Sequence, residues 1–416
     1  MTDVDVSARA SRSVDEPGTE ERPLWVRHPV AAVFLLGLTV RLGISAVLLA
    51  SGHWPIAPDE RQYVTLAGVV ASGRPASAWD PAWGNDLFAQ TSTFLLPVVW
   101  LFRLFGAHVY LGMLVAGLAG AGVAALTSRL AIAAGLRRWA LPVGAVIALL
   151  PSQLLWSSLV LRESATWLTL SAAALLLTFA MTAHRLRTLA VVMAGLAAPL
   201  YALFHLRPYV FVVACWAVVG AAVVGAPARR LATPAMALAL MLALPAACGI
   251  GVGGITLVGT NLPVLAKIQQ HLAVGADSAI VKPKPASTHQ APLDENAATT
   301  IGPRNALRGT VAVLLRPFPW ERPTSVATLL AQVENLLWVV LYGFAALGVW
   351  ARRRDRRTIA FPVVFSVGFV LMSALFEGNV GTAFRHRGQI AWAVVLLAAC
   401  GAHWLRSRRQ EAAPTG

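Results

Sequence analysis

Val30-Ala31-Ala32-Val33-Phe34-Leu35-Leu36-Gly37-Leu38-Thr39-Val40-Arg41-Leu42-Gly43-Ile44-Ser45-Ala46-Val47-Leu48-Leu49-Ala50 is an apolar run broken by a single charge. About twenty such residues span the hydrocarbon of a bilayer as a helix. The run is too long for a signal-peptide core and no small-residue cleavage site follows, so it reads as an uncleaved anchor. Arg41 lies about ten residues from either end, too deep to snorkel, and is expected to pair with an acid or face a polar cavity. Downstream the run meets water at Ala57-Pro58-Asp59-Glu60-Arg61-Gln62-Tyr63, where two adjacent acids occur in a chain that is 57% hydrophobic and 13% charged.

Similar apolar stretches recur at about 91–105, 108–133, 139–157, 165–183, 188–206, 208–226, 232–258, 327–350, 359–377 and 388–405. With a mean hydropathy of +0.65, they predict an all-α, polytopic transmembrane protein. The formal net charge of +15 comes largely from arginines in short links between apolar runs, as the positive-inside bias requires, which argues against nucleic acid as a partner. Cys215, Cys248 and Cys400 all fall in apolar stretches and read as small buried hydrophobes. Residues 1–28 and 406–416 read as tails flanking one membrane domain at 29–405, the first of them disordered.

Positive charge sets the expected topology. The segment 91–105 is short and holds Pro97 and Arg103; read as re-entrant or juxtamembrane, it leaves about ten crossings with both termini cytoplasmic. Arg22, Arg27, Arg137, Arg138, Arg185, Arg187, Arg229, Arg230, Arg352 to Arg357 and Arg406 to Arg409 then share one side. The outer side receives two large loops, 51–90 and 259–326, together with Arg162-Glu163, His205-Leu206-Arg207, Glu377 and Phe384-Arg385-His386-Arg387. No internal repeat of the kind many transporters carry is visible.

Each outer group has a plain reading beside a chemical one. Asp59 and Glu60 after Pro58 mark a helix start, yet a carboxylate at a desolvated boundary is also a general base. Arg162-Glu163, after Pro151-Ser152-Gln153-Leu154-Leu155-Trp156-Ser157-Ser158, is either an interfacial pair or a second carboxylate brought toward the first. Arg385-His386-Arg387 suits a phosphate whose charge grows as it leaves; a basic flank belongs inside, and this one is predicted outside. Arg207 is anomalous on the same ground. His53, His271 and His289 have no metal-ligand spacing, so the residues support no metal site. Arg316-Pro317-Phe318-Pro319-Trp320-Glu321 reads as an aromatic interfacial anchor, and Gly249, Gly251, Gly253 and Gly254 as close helix packing.

A first span containing an arginine, an outer Asp-Glu followed by a tyrosine, a Trp-Ser-Ser segment leading to Arg-Glu, and Arg-His-Arg before the last span together resemble the C-type glycosyltransferase superfamily. Within it the chain looks most like bacterial relatives of protein O-mannosyltransferases and aminoarabinose transferases. The resemblance covers about 30–405 and rests on the order and sidedness of short motifs. It implies a cell-membrane enzyme that moves a sugar, with inversion, from a polyprenyl-phosphate donor to a glycan, lipid or protein acceptor outside. By position it implies Asp59 as base, Glu163 as the second acidic residue, and Arg385 and Arg387 facing the donor phosphate. Glu60 joins the catalytic acids, and Tyr63, Arg162, Arg207 and His386 the substrate contacts. It implies no certain cofactor and leaves a divalent metal open. High Ala, Arg and Val usage points to a GC-rich bacterial source and hence to the bacterial plasma membrane.

Two other classes remain open on the sequence. A transporter or flippase of a lipid-linked or anionic solute would use the same arginines without chemistry; it would spread polar residues through the spans, whereas here they gather at one face. An assembly partner in a cell-envelope complex would use the large outer loop for docking.

Overall fold

The computed structural model describes residues 23–226, 231–248, 303–323, 326–376 and 380–412. Among them every regular element is helical: α1 Leu24–Arg27, α2 Pro29–Ala50, α3 Pro58–Ala71, α4 Gly84–Phe105, α5 Val109–Ala133, α6 Ala140–Leu149, α7 Pro151–Ser157, α8 Glu163–Thr182, α9 Leu186–Leu206, α10 Pro208–Gly225, α11 Ala232–Ala247, α12 Pro303–Leu315, α13 Val326–Ala351, α14 Ala360–Phe376 and α15 Val380–Ala412, with 3₁₀ turns at Ala76–Ala78 and Arg137–Trp139. Eight helices among the described residues are long and apolar enough to cross a membrane, or nine if a bent pair counts as one span. The chain is a polytopic helical protein.

The expected boundaries shift in four places. Within the tail expected over 1–28, Leu24–Arg27 already forms a helical turn. At the other end α15 runs on to Ala412, through the tail expected from 406. Its extension is rich in Arg, Gln, Glu and Ala, all good helix formers, with Arg409 in the last turn complementing the dipole. The loop 51–90 holds all of α3 and the first turns of α4, so α4 is longer than the 91–105 segment. Finally, the stretch expected as one span at 139–157 is broken: Arg137–Leu149 and Pro151–Ser157 are bent by 58°. Pro151 has no N–H and disfavours a helical Leu150, so the first helix ends there. Glu377, His271, His289 and the Gly249–Gly254 run lie outside the described residues, as does most of the loop 259–326.

The break exposes backbone groups that water cannot reach. At α7's start, Glu334 of α13 takes the Ser152 N–H on Oε2 at 2.6 Å, and the Ser152 hydroxyl and Trp338 indole on Oε1 at 2.6 and 2.7 Å. At α6's end, Arg41 donates from Nη1 to Ala148 O at 3.1 Å and to Gly37 O at 3.0 Å, and from Nε to Ser157 Oγ at 2.6 Å. An acid thus meets the positive end of one half-helix and a guanidinium the negative end of the other. A charge at span depth costs roughly 2.5–3.5 kcal/mol. The three hydrogen bonds that each of Arg41 and Glu334 makes offset that cost. Arg41 therefore serves a helix break, where an acid partner or polar cavity was expected.

Helix contacts elsewhere are made by small residues, as packing in lipid demands. A methyl on Gly348 of α13 would come within 2.0 Å of Leu397 O, and one on Gly401 of α15 within 2.1 Å of Phe344 O. A smaller apolar core, with Tyr63, Leu66, Phe94, Val98, Phe102, Met113 and Leu159–Leu161, joins α3 and α4 to the start of α5 and the 159–161 link. Gln90 O of α4 accepts from Arg162 Nη1 at 3.2 Å, and a methyl on Gly112 of α5 would come within 2.9 Å of Val160. The starts of α4 and α5 therefore meet the same segment. At the opposite end of the bundle, Arg352 Nη2 donates to Ala134 O at 3.0 Å and Trp350 meets Trp404 with ring centroids 5.1 Å apart.

Candidate functional site

Four helix termini converge beside the 159–161 link. Glu163 is the first residue of α8, where a carboxylate complements the dipole, and its side chain is wholly buried. Its Oε1 accepts from Arg385 Nε at 2.6 Å and Arg385 Nη2 at 2.5 Å, and from Arg207 Nη2 at the α9–α10 corner. Arg385 then reaches outward with Nη1 and Nη2 to Asp59 Oδ2, at 3.1 and 3.2 Å. Its guanidinium lies over the Trp156 ring, 5.7 Å from the centroid. Arg207 Nη1 donates to the Tyr209 hydroxyl at 2.6 Å. One guanidinium thus joins a dry carboxylate to a wet one, since the Asp59 side chain is 41% exposed.

The set carries unspent polarity. Glu163 Oε2, Arg207 Nε, Arg162 Nε and Trp156 Nε1 are buried without hydrogen-bond partners. Native proteins leave few such groups unsatisfied, and these four lie around the Glu163–Arg385 pair. Arg162, Arg207 and Arg385 stand against Asp59 and Glu163, an excess of one positive charge among the described residues. Chemically the arrangement can hold an anion beside an accessible carboxylate.

Tyr63, one turn along α3 from Asp59 and on the same face, is buried with its ring edge-on to Phe94 at 6.3 Å. Burial raises its hydroxyl pKa, so it stays protonated and able to donate. His386 is nearly buried, its ring 6.2 Å from that of Tyr209. Two residues grouped with the site do other work. Glu60 is fully buried and its carboxylate is taken up by four N–H groups: Ile56 N at 2.9 Å, Ala57 N at 3.0 Å, Trp54 Nε1 at 3.1 Å and Val160 N at 3.2 Å. It caps α3 and ties it to the 159–161 link, with both of its oxygens accepting hydrogen bonds. Arg387 is fully buried, donating to Val313 O at 2.9 Å, to Arg316 O at 2.5 Å and to Asn335 Oδ1. It therefore closes the C-terminal end of α12 and does not face the cluster.

No three His, Cys, Asp or Glu side chains among the described residues come together as metal ligands. The two site carboxylates are separated by the Arg385 guanidinium, a donor set that does not fit a divalent cation. Glu334 was not singled out from the sequence, although an acid amid an apolar run near 327–350 is a signal in itself. Comparison of the chain with family models, curated proteins and solved structures finds no match.

Proposed function

We propose that the protein is an integral membrane glycosyltransferase that moves a sugar from a polyprenyl-phosphate donor to a hydroxyl acceptor, with inversion. The observation that carries this reading is Arg385, shared between buried Glu163 and accessible Asp59 in a cluster with excess positive charge. The donor phosphate takes the outward side of Arg385, which frees Asp59. Asp59 accepts the proton of the acceptor hydroxyl as its oxygen attacks the anomeric carbon. The bond from that carbon to the phosphate oxygen breaks, leaving polyprenyl phosphate, whose growing charge Arg385 and Arg207 stabilise. The proton then passes from Asp59 to water.

On this reading the arginine-rich end of the bundle faces the cytoplasm of a bacterial cell, with both termini there. On the same reading α4, though long and apolar enough to span, does not complete a crossing, which is supported by Gln90 and the start of α5 meeting neighbouring residues, Arg162 and Val160, although residues 90 to 105 rise about 22 Å. It lies instead in the outer interface.

The second reading, a transporter of an anionic solute, is favoured by one observation, the broken α6–α7 pair, because half-helix ends bind substrates in such proteins. Here Arg41 and Glu334 already occupy those ends. The deciding experiment is transfer of labelled sugar from a panel of polyprenyl phosphates by the purified chain in lipid. Turnover is expected from the parent chain, none from Asp59→Asn, and weakened donor use from Arg385→Ala. Full turnover by Asp59→Asn would overturn the base; donor binding without turnover in any acceptor mixture would favour transport.

A further inference from the structure

At the arginine-rich end, far from the Asp59–Arg385 cluster, a groove of about 680 Å³ opens between the start of α2 and the end of α5. Its volume lies within the range of small-molecule sites. Val30, Phe34, Leu35, Ala125 and Ile132 form its floor, and Arg27, Arg129 and Arg137 stand around it. No acidic residue lines it among the described residues. Arg129 lies one turn from the end of α5, exposed and within reach of the interface, and its guanidinium rests over the Phe179 ring at 5.8 Å. The apolar lining opens outward at Leu35, which is 61% exposed, and continues to Trp25 of the neighbouring α1, 57% exposed. Trp at this position is an interfacial residue.

We propose that this groove binds one anionic phospholipid, its phosphate held by Arg129 and Arg137 and an acyl chain lying along Phe34, Leu35 and Ile132. A soluble anion would need the arginines but not the floor. A zwitterionic lipid would use the floor but bring no net negative charge to Arg129 and Arg137. A second basic recess at the same end, between Arg138, Trp139, His403 and Arg406, has only about 130 Å³ and no comparable apolar run, so it takes no chain. The groove does not depend on the chemistry at the other end of the bundle.

The test is native mass spectrometry of the purified full chain titrated with phosphatidylglycerol and with phosphatidylcholine of matched acyl chains. Preferential binding of phosphatidylglycerol by the parent is expected. Each arginine near such a headgroup contributes about fivefold, so Arg129→Gln with Arg137→Gln should weaken that binding about thirtyfold. Ala125→Phe keeps every arginine and fills the floor; it should lose the lipid too, and it carries the test should the double variant fail to fold. Equal binding of the two lipids by the parent, or parental phosphatidylglycerol affinity in either variant, overturns the proposal.

Discussion

Replacing Glu163 by Gln keeps the shape of the side chain and removes the charge on which two buried guanidiniums rest. Oε1 of Glu163 takes Arg385 through Nε and Nη2 and Arg207 through Nη2, and the side chain sees no solvent. Removing one member of a buried ion pair costs about 3–5 kcal/mol, because the remaining charge stays desolvated. Asp59 cannot compensate, since an ion pair with a 41% exposed partner is worth about 0–1 kcal/mol. Against a typical unfolding free energy of about 5–15 kcal/mol, the variant should fold but melt well below the parent. The cluster's excess would then rise to two positive charges, so inorganic phosphate should restore more stability to the variant than to the parent. An anion at a hundred times its Kd would return about 2.7 kcal/mol. The assay is a thermal melt of both purified chains in the same detergent, with and without phosphate. A Glu163→Gln chain that melts with the parent, or gains no more from phosphate, would refute the view of Glu163 as the counter-ion that organises Arg207 and Arg385.

Three further outcomes follow from the packing. Glu60→Ala strips an acceptor from four N–H groups; at about 1–3 kcal/mol for each buried donor left unmet, it should lower the melting temperature markedly, unlike Asp59→Asn. Glu334→Ala should likewise destabilise by several kcal/mol, and a cysteine placed at Ser152 should become more reactive to a membrane-permeant thiol reagent as α7 loosens. Gly388→Ala would put a methyl 2.4 Å from the Trp167 ring, costing about 1–3 kcal/mol and moving Arg385, three residues earlier on α15, away from Glu163; a melt and the sugar-transfer assay would read the two effects separately.

The sequence marked Asp59, Glu163, Arg207 and Arg385 as boundary charges on one face, and the fold brings these four into one network. What it could not separate were neighbours. Asp59 and Glu60 differ by about 100° around a helix, which points one at Arg385 and sends the other under the α3 cap. Arg385 and Arg387 differ by about 200°, and the helix around them is buried on nearly all sides, so periodicity offers no outer face to orient them. The break after Leu150 had a local signal in Pro151. Its partners did not, because Arg41 and Glu334 come from distant segments and pair with backbone rather than with each other.

That break also constrains how the chain is made. Arg41 is synthesised before α6 and meets Ala148 as soon as the two spans pack, whereas Glu334 follows Ser152 by 182 positions. Since chains emerge N-terminal first, the positive end of α7 waits uncapped through the production of α8 to α12, five helices among the described residues. A ribosome-bound intermediate ending before α13 would hold a half-finished crossing and an unformed Glu163–Arg385 contact. Glu334 on α13 therefore secures the break first, and Arg385 completes the Glu163 contact only after α14 has followed, so a product ending before α13 lacks the acid that holds its middle together.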